Sequence, residues 1–394
     1  MRNLVRQITF LFLAIQVPTA FAETEQTSET RINFRYRLES VDQRGLASDA
    51  LASTLRTRLN FLSAPYAQTR FFIEADNVSY LGNEAFNNTR NGETRYPVVA
   101  DPEGTSINQF YVRQKTQNYT ATLGRYRILD DDQRFIGGVG WRQNEQTYDG
   151  IGIHYHPGEN LDASWRYVNR VSRIFGPDRG TPSAHLDSDS HLLRIRHDRE
   201  GQGQITGYIY LLDFEDAANL SNSTIGFRYQ NTFPFKTFAL PLTVEYAHQS
   251  DYGANNAHLS LDYLGVNLKF ETRHATFSVG TEILEGSRNG GFQTPLATLH
   301  KFQGWADKFL TTPATGIDDK YFGIAGETSH ITWSATYHDF SAEQGGNRYG
   351  SELDLSVSRE INRNLTGSLK WAKYNADDLA TDTSKAWLTL IASF

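Results

Sequence analysis

Beyond the first two dozen positions the chain alternates between apolar and polar residues, with few apolar runs at helical spacing longer than two turns. Ile32, Phe34, Tyr36 and Leu38 interleave with Asn33, Arg35, Arg37 and Glu39, and Leu55, Thr57, Leu59 and Phe61 with Arg56, Arg58 and Asn60. A period of two is the signature of strands with one apolar and one polar face. The rule predicts strands over 31–42, 51–64, 69–81, 105–117, 119–128, 148–157, 161–171, 191–199, 204–215, 222–233, 238–250, 259–272, 275–284, 318–328, 331–341, 349–361, 365–375 and 385–394. The connections alternate in length. Those after even-numbered strands are tight and rich in turn formers, such as Pro157-Gly158-Glu159-Asn160 and Asn362-Arg363-Asn364. Those after odd-numbered strands are longer, as over 82–104, 129–147 and 285–317. That asymmetry predicts an all-β fold: a transmembrane antiparallel β-barrel of about 18 strands, with short periplasmic turns and long extracellular loops.

Composition narrows the class. In 394 residues there are no cysteine and one methionine, aromatics reach 13%, and the net charge is -7. Mean hydropathy is -0.51, and no mature stretch approaches the roughly 18 apolar residues of a helical span. Disulfide frameworks, cysteine nucleophiles and lipoprotein anchors are excluded, and the acidic balance argues against nucleic acid as a partner. At the start, Arg2 and Arg6, the apolar run Ile8 to Ile15, and Ala20-Phe21-Ala22 have the three parts of a signal peptide. The expected organisation is therefore a signal peptide over 1–22 and a single barrel domain over 23–394, located in the cell outer membrane. Expected partners are the lipid bilayer with its lipopolysaccharide, the barrel-assembly machinery, and a small-molecule or oligosaccharide solute; no cofactor or metal is called for. Ala386, Leu388, Leu390, Ala392 and the terminal Phe394 share one face of the last strand. They resemble the sorting signal of outer-membrane barrels, so Phe394 is the expected assembly signal.

At eighteen strands a barrel is wide enough for an aqueous channel. The alternation directs a basic set inward: Arg35, Arg37, Arg56, Arg58, Arg113, Lys115, Arg166, Arg170, Arg194, Arg196 and Arg228. Acids accompany it at Glu39, Glu74, Asp76, Glu245, Glu282, Glu352, Asp354 and Glu360. Guanidinium groups hold carboxylates bidentately, so such a wall is a multisite track for anionic or carboxylate-bearing solutes, or a set of wall-stiffening ion pairs. Tyr119, Trp165, Tyr229, Tyr246 and Trp333 are expected at the membrane interfaces.

Two loop blocks carry a family resemblance. Leu123-Gly124-Arg125-Tyr126-Arg127-Ile128, Asp130-Asp131-Asp132-Gln133-Arg134-Phe135-Ile136-Gly137 and Trp141-Arg142-Gln143-Asn144-Glu145-Gln146-Thr147-Tyr148-Asp149 resemble the central block of the bacterial alginate-export family of outer-membrane porins. The stretch from Phe292 to Asp307 is similar to a loop of that broad family. The resemblance implies an eighteen-stranded monomeric barrel with a constricted, arginine-lined lumen that passes a polyuronate outward, and it adds Arg125 to the expected pore-lining set. The first block is too apolar and glycine-rich for a solvated loop. Its Asp130, Asp131, Asp132, Arg134, Phe135, Trp141 and Arg142 are expected to tuck into the lumen as a constriction or to cap the barrel mouth. In the second block Leu296, Leu299, Phe302, Trp305 and Phe309 want burial, with Lys301, Asp307 and Lys308 at the rim.

The functional expectation is a porin for passive passage of small or anionic solutes of carboxylate or uronate type, with polysaccharide export as one form. The alternative is a barrel without conductance that acts as an enzyme or surface adhesin. No nucleophile-elbow motif is present, His154 and His156 offer a metal pair or plain inward polar residues, and the aspartate run offers a calcium turn or a solvated one.

Overall fold

The computed structural model describes residues 27–178 and 180–394, so the signal-peptide segment lies outside the described residues. The strands are β1 (Glu29–Gln43), β2 (Ala50–Leu62), β3 (Thr69–Tyr80), β4 (Gly104–Lys115), β5 (Tyr119–Tyr126), β6 (Thr147–Tyr155), β7 (Leu161–Ser172), β8 (His185–Arg199), β9 (Gly203–Leu212), β10 (Asn222–Pro234), β11 (Phe238–Asp251), β12 (Ser260–Thr272) and β13 (Thr276–Leu284). After a two-residue hairpin inside a loop, β14 (Gly286–Ser287) with β15 (Gly290–Gly291), come β16 (Ile317–Glu327), β17 (Ile331–Ser341), β18 (Arg348–Asn362), β19 (Leu365–Ala376) and β20 (Thr383–Ser393). Eighteen of these form one antiparallel sheet. It closes on itself because β1 pairs both with β2 and with β20, from Asn33 opposite Ser393 to Gln43 opposite Thr383. Closure leaves no unpaired edge, the condition for a sheet in hydrocarbon.

Parity then decides what each residue meets. Leu59, Leu123, Ile205, Ile225, Val279, Phe322 and Leu369 stand on the outer surface, and Arg35, Arg37, Glu39, Arg56 and Arg58 are buried inside. Of the expected interfacial aromatics, Trp165, Tyr246 and Trp333 are exposed on the outer surface. At the short-turn end Phe235, Phe238, Phe270 and Phe277 pack ring to ring at 4.5, 4.9 and 6.4 Å, an aromatic girdle.

Two departures from the sequence reading have local causes. β8 starts six residues before the expected position, because His185 to Ser190 are polar but for the single Leu186, so no apolar alternation marks them. That part of the ladder stands beyond the lipid belt, where the apolar face that marks a membrane strand is not required. Opposite Glu74 the register slips between β3 and β4. The bulge turns both Asn108 and Gln109 inward, and both donate to the Glu74 carboxylate, at 2.9 and 3.0 Å.

The C-terminus seals the ring. The Phe394 amide donates to the Ile32 carbonyl at 2.9 Å and Ile32 returns the bond at 3.0 Å. The Phe394 ring meets Phe34 edge-on at 6.5 Å while remaining on the lipid side. Deleting Phe394 is therefore expected to lower the fraction of chains that reach the heat-modifiable folded form in the outer membrane while leaving export to the periplasm intact. Equal folded yield on unheated gels would remove its role in assembly.

Candidate functional site: the constricted lumen

The loop over 127–146 folds into the barrel, and the arginines of β1 and β2 hold it there. Arg35 donates to the Gln143 side chain at 2.9 Å, to the Gly140 carbonyl at 2.7 Å and to the Arg142 carbonyl. Arg37 donates to the Trp141 carbonyl at 2.6 Å and lies over the Trp141 ring, 4.2 Å from its centre. Arg58 grips Asp76 with two bonds of 2.6 and 2.7 Å and reaches Glu145 at 2.9 Å, with Arg56 at 3.5 Å from the same carboxylate. Arg127 completes the cluster at 2.5 Å from both Glu145 and Glu74. Three guanidinium groups hold the Glu145 carboxyl well below the usual carboxylate range. The four early arginines face inward as expected, and the loop covers them.

The other side of the same loop is tied to the opposite wall. Asp130, Asp131 and Asp132 meet Arg166, Arg194 and Arg228 at 2.8, 2.5 and 2.8 Å. The acidic run is therefore an ion-paired tether; its carboxylates face wall arginines where a solvated turn would face water. Between the two anchorages Phe135 and Ile136 are buried against Tyr208, Tyr210, Tyr263 and Phe292, with Phe135 5.2 to 6.2 Å from those rings.

The loop over 285–316 enters beside it. Ile136 bridges Leu296, and Gly137 donates to the Leu296 carbonyl at 2.8 Å. Arg134 ties to Thr294 at 3.0 Å and Glu282 at 3.4 Å. Glu352 and Asp354 accept the backbone amides of Ala306 at 2.6 Å and Trp305 at 3.2 Å. Gly304 precedes them at φ +78°, where a side chain would collide with the Glu352 carboxylate. These two acids face the lumen, yet they serve as loop anchors. Asp307, expected at the rim, is buried at a hub: Lys385 at 2.7 Å, His300 at 2.8 Å and Arg142 at 3.4 Å. Arg142 adds Glu39 at 3.2 Å.

Other expected lumen residues are placed as follows. Arg113 stacks on Tyr111 at 4.4 Å and donates to Thr122. Arg196 pairs with Asp198 at 3.3 Å, and Lys115 ends β4 beside a short turn. Arg125 is a correction. It shares parity with the outward Leu123 and pairs with Asp149 at 2.6 Å on the outer wall. Arg170 is another: a bulge between Val168 and Arg170 turns it outward onto Asp187 at 2.8 Å. His154 pairs with Asp162 at 2.7 Å.

Three cavities follow one another through the lumen. The outer one, about 590 Å³, is lined by Gln43, Leu46, Thr94, Tyr96 and Leu310 among others. The middle one, about 550 Å³, has Arg127, Lys301 and Lys370 as its cations and Glu145 as its carboxylate. The inner one, about 410 Å³, is lined by Arg228, Glu245, Asn267, Lys269 and Tyr321 among others. Trp141 and His300 line both outer and middle cavities; Lys301 and Trp305 line both middle and inner. Neighbouring cavities adjoin at these shared residues. The Trp141 and His300 rings stack at 4.2 Å, and the Lys370 ammonium sits between Trp141 and Trp305, 4.0 and 3.5 Å from their centres. Sequence reasoning missed Arg127, Glu145, His300, Lys370 and Lys385 as members of this network. The first three lie within the two resembling blocks, but neither period nor motif assigned a role to any of the five, since they meet only when two loops fold inward.

Comparison with known proteins gives the class. The fold is that of an outer-membrane β-barrel of the porin type. *Acinetobacter baumannii* OccAB4 superimposes with a TM-score of 0.72 at 13% identity, covering 94% of this chain and 99% of that one. *Pseudomonas aeruginosa* OccK9 (OpdG) gives 0.75 at 15%, covering 93% and 98%, and *P. aeruginosa* OpdK solved with vanillate gives 0.72 at 12%, again covering 93% and 98%. The alginate export family model matches residues 26–173, so the alginate-export signature is carried by β1 to β7 with their loops, including the first resembling block. The second block lies outside that match. No curated protein matches in sequence.

Burial lowers the His300 pKa to about 3, outweighing the Asp307 carboxylate beside it. The neutral ring accepts from Lys370 at 3.2 Å through Nε2 and donates through Nδ1 to Asp307. A pKa below the unfolded value of about 6.5 makes the folded loop hold fewer protons than the unfolded chain. Its contribution is thus complete above about pH 6.5 and falls as pH drops toward 3, with a slope approaching about 1.4 kcal/mol per pH unit. Urea unfolding in detergent between pH 4 and 7 should show this slope, and His300→Gln should flatten it. A wild-type stability independent of pH in that window would exclude a buried neutral His300.

Proposed function

We propose that the barrel is a narrow passive channel for small anionic solutes, carboxylates and short uronate-type oligosaccharides, that pass through the three cavities in series. The observation that carries this reading is the middle cavity: Lys301 and Lys370 face it beside Arg127, which is paired with Glu74 and Glu145, and its one carboxylate, Glu145, is already engaged by Arg56, Arg58 and Arg127. A wall of fixed positive charge in a low-dielectric pore raises the local concentration of anions. The aromatic faces of Trp141 and Trp305 give a solute ring a surface to slide along. Vanillate, the acid bound to OpdK, is of a size and charge that suits such a cavity. The stacked Trp141 and His300 across the path favour small solutes over a long polymer. No step of this reading is catalytic. The apolar belt, its girdle and the terminal Phe394 support a bilayer with lipopolysaccharide and the barrel-assembly machinery as the remaining partners.

Purified protein in a planar bilayer should give stepwise currents with mild anion preference in a salt gradient. Lys301→Gln, which removes a charge shared by two cavities, should move the zero-current potential toward cation preference. Trp141→Ala should raise conductance, because it removes a ring shared by the outer and middle cavities. A silent bilayer would sink the channel reading and favour a surface adhesin. Cation preference in the wild type would sink the solute class.

A further inference from the structure

The outer cavity carries apolar surface that the ion-paired network leaves unused. Leu46, Val98 and Leu310 are 37%, 50% and 47% exposed, yet none of them stands on a strand facing lipid. They come from three separate loops, over 44–49, 81–103 and 285–316, and line the outer cavity together with Tyr96, Ile174 and Leu299. Apolar side chains left open inside a concave mouth mark a place that another apolar body covers. The charges around them are uneven. Asp307, the one carboxylate of the lining, is held by Lys385, His300 and Arg142. Two lining cations make no ion pair among the described residues: the Lys308 ammonium reaches the Gln43 side chain at 3.4 Å, and Arg173 lies over the Phe175 ring at 4.6 Å and donates to the Ser183 carbonyl at 3.2 Å. Burial lowers the Lys308 pKa to about 8, and the Lys385 ammonium adds to the shift.

We infer that the outer cavity is a binding site for a medium-chain fatty acid such as octanoate or decanoate, its alkyl chain covering Leu46, Val98 and Leu310 and its head group meeting Lys308. The inference deepens the proposed function and rests on it for the anionic head; the alkyl body is new. Its volume of about 590 Å³ is within the roughly 300–1,000 Å³ of small-molecule sites. Lys308 and Leu310 are two residues apart on one loop and line the same cavity, so the places for head and chain adjoin. A half-buried ammonium without a counter-ion is the group that a bound anion relieves of its desolvation cost. The alkyl chain is favoured over a hydroxylated ring by the walls themselves. Each methylene withdrawn from water against aliphatic side chains adds to the affinity, and a flexible chain conforms to side chains that arrive from separate loops. Trp141 and His300 close the far side, where the outer cavity meets the middle one.

The test is calorimetry on the folded barrel in lipid nanodiscs, which keep detergent alkyl chains out of the cavity. Hexanoate, octanoate and decanoate form the series, benzoate and glucuronate are ring acids of the same charge, and empty nanodiscs give the blank for partition into lipid. Affinity should rise about threefold per added methylene, and decanoate should bind about tenfold or more tightly than glucuronate. Lys308→Gln should weaken the whole series about tenfold and leave its slope in place, since it removes the contact to the head alone. Leu310→Asn should flatten the slope. The wild-type series decides the matter by itself if the substituted chains do not fold. Equal affinity along the series, or benzoate or glucuronate bound more tightly than decanoate, would overturn the inference. Saturable, length-dependent binding by a barrel that is silent in planar bilayers would count against the channel and leave the site standing; a conducting barrel without such binding would count against the site alone.

Discussion

A guanidinium group withdrawn from water must be met by carboxylates or carbonyls, and this requirement shapes the lumen more than any packing preference does. Strand parity forces Arg35, Arg37, Arg56, Arg58, Arg166, Arg194 and Arg228 to the inside of a closed sheet, where a wide empty pore would leave them in water. All but the partly exposed Arg166 are instead buried, because the loop over 127–146 brings them Glu145, Asp130, Asp131, Asp132 and a run of backbone carbonyls. The outer surface has little such freedom, since hydrocarbon favours apolar side chains and tolerates a charge only when it is paired, as Arg125 is with Asp149. Charge is therefore concentrated on the inner face, and the loop's tethers are drawn from it.

The second loop follows from the first. Once Phe135 and Ile136 are held inside, they need an apolar partner, and Phe292 and Leu296 supply it beside the tyrosines of β9 and β12. Its far end is then fixed by amides on Glu352 and Asp354 and by the Asp307 hub. Two loops locked to each other and to opposite walls leave a chain of three cavities that adjoin at Trp141, His300, Lys301 and Trp305. The rigidity of the lumen draws on this set of charges, and most of the arginines are committed to structure. Under the proposed function, the cations left to face a solute are mainly Lys301 and Lys370.

Much of the barrel was legible because a strand's side chains alternate and the two sides of a membrane barrel differ so sharply in solvent. Strand count, the alternation of turn lengths and the inward direction of the arginines on β1 and β2 all follow from a period of two. The exceptions mark where the period breaks: at the bulge before Arg170, at the Asn108 and Gln109 pair, and at Arg125, where a charge on the outer face is satisfied by Asp149 opposite it.

What the sequence by itself determined, then, is which residues face lipid and which face the lumen, because that depends only on neighbours two positions apart and on the demand that lipid meet apolar groups. Only the tertiary structure decided what the lumen charges do. The pairs Arg35 with Gln143, Arg142 with Asp307 and Lys370 with His300 join residues between 70 and 165 positions apart. No local pattern encodes such distances; they are set when the sheet closes and two loops fall into the space that closure creates.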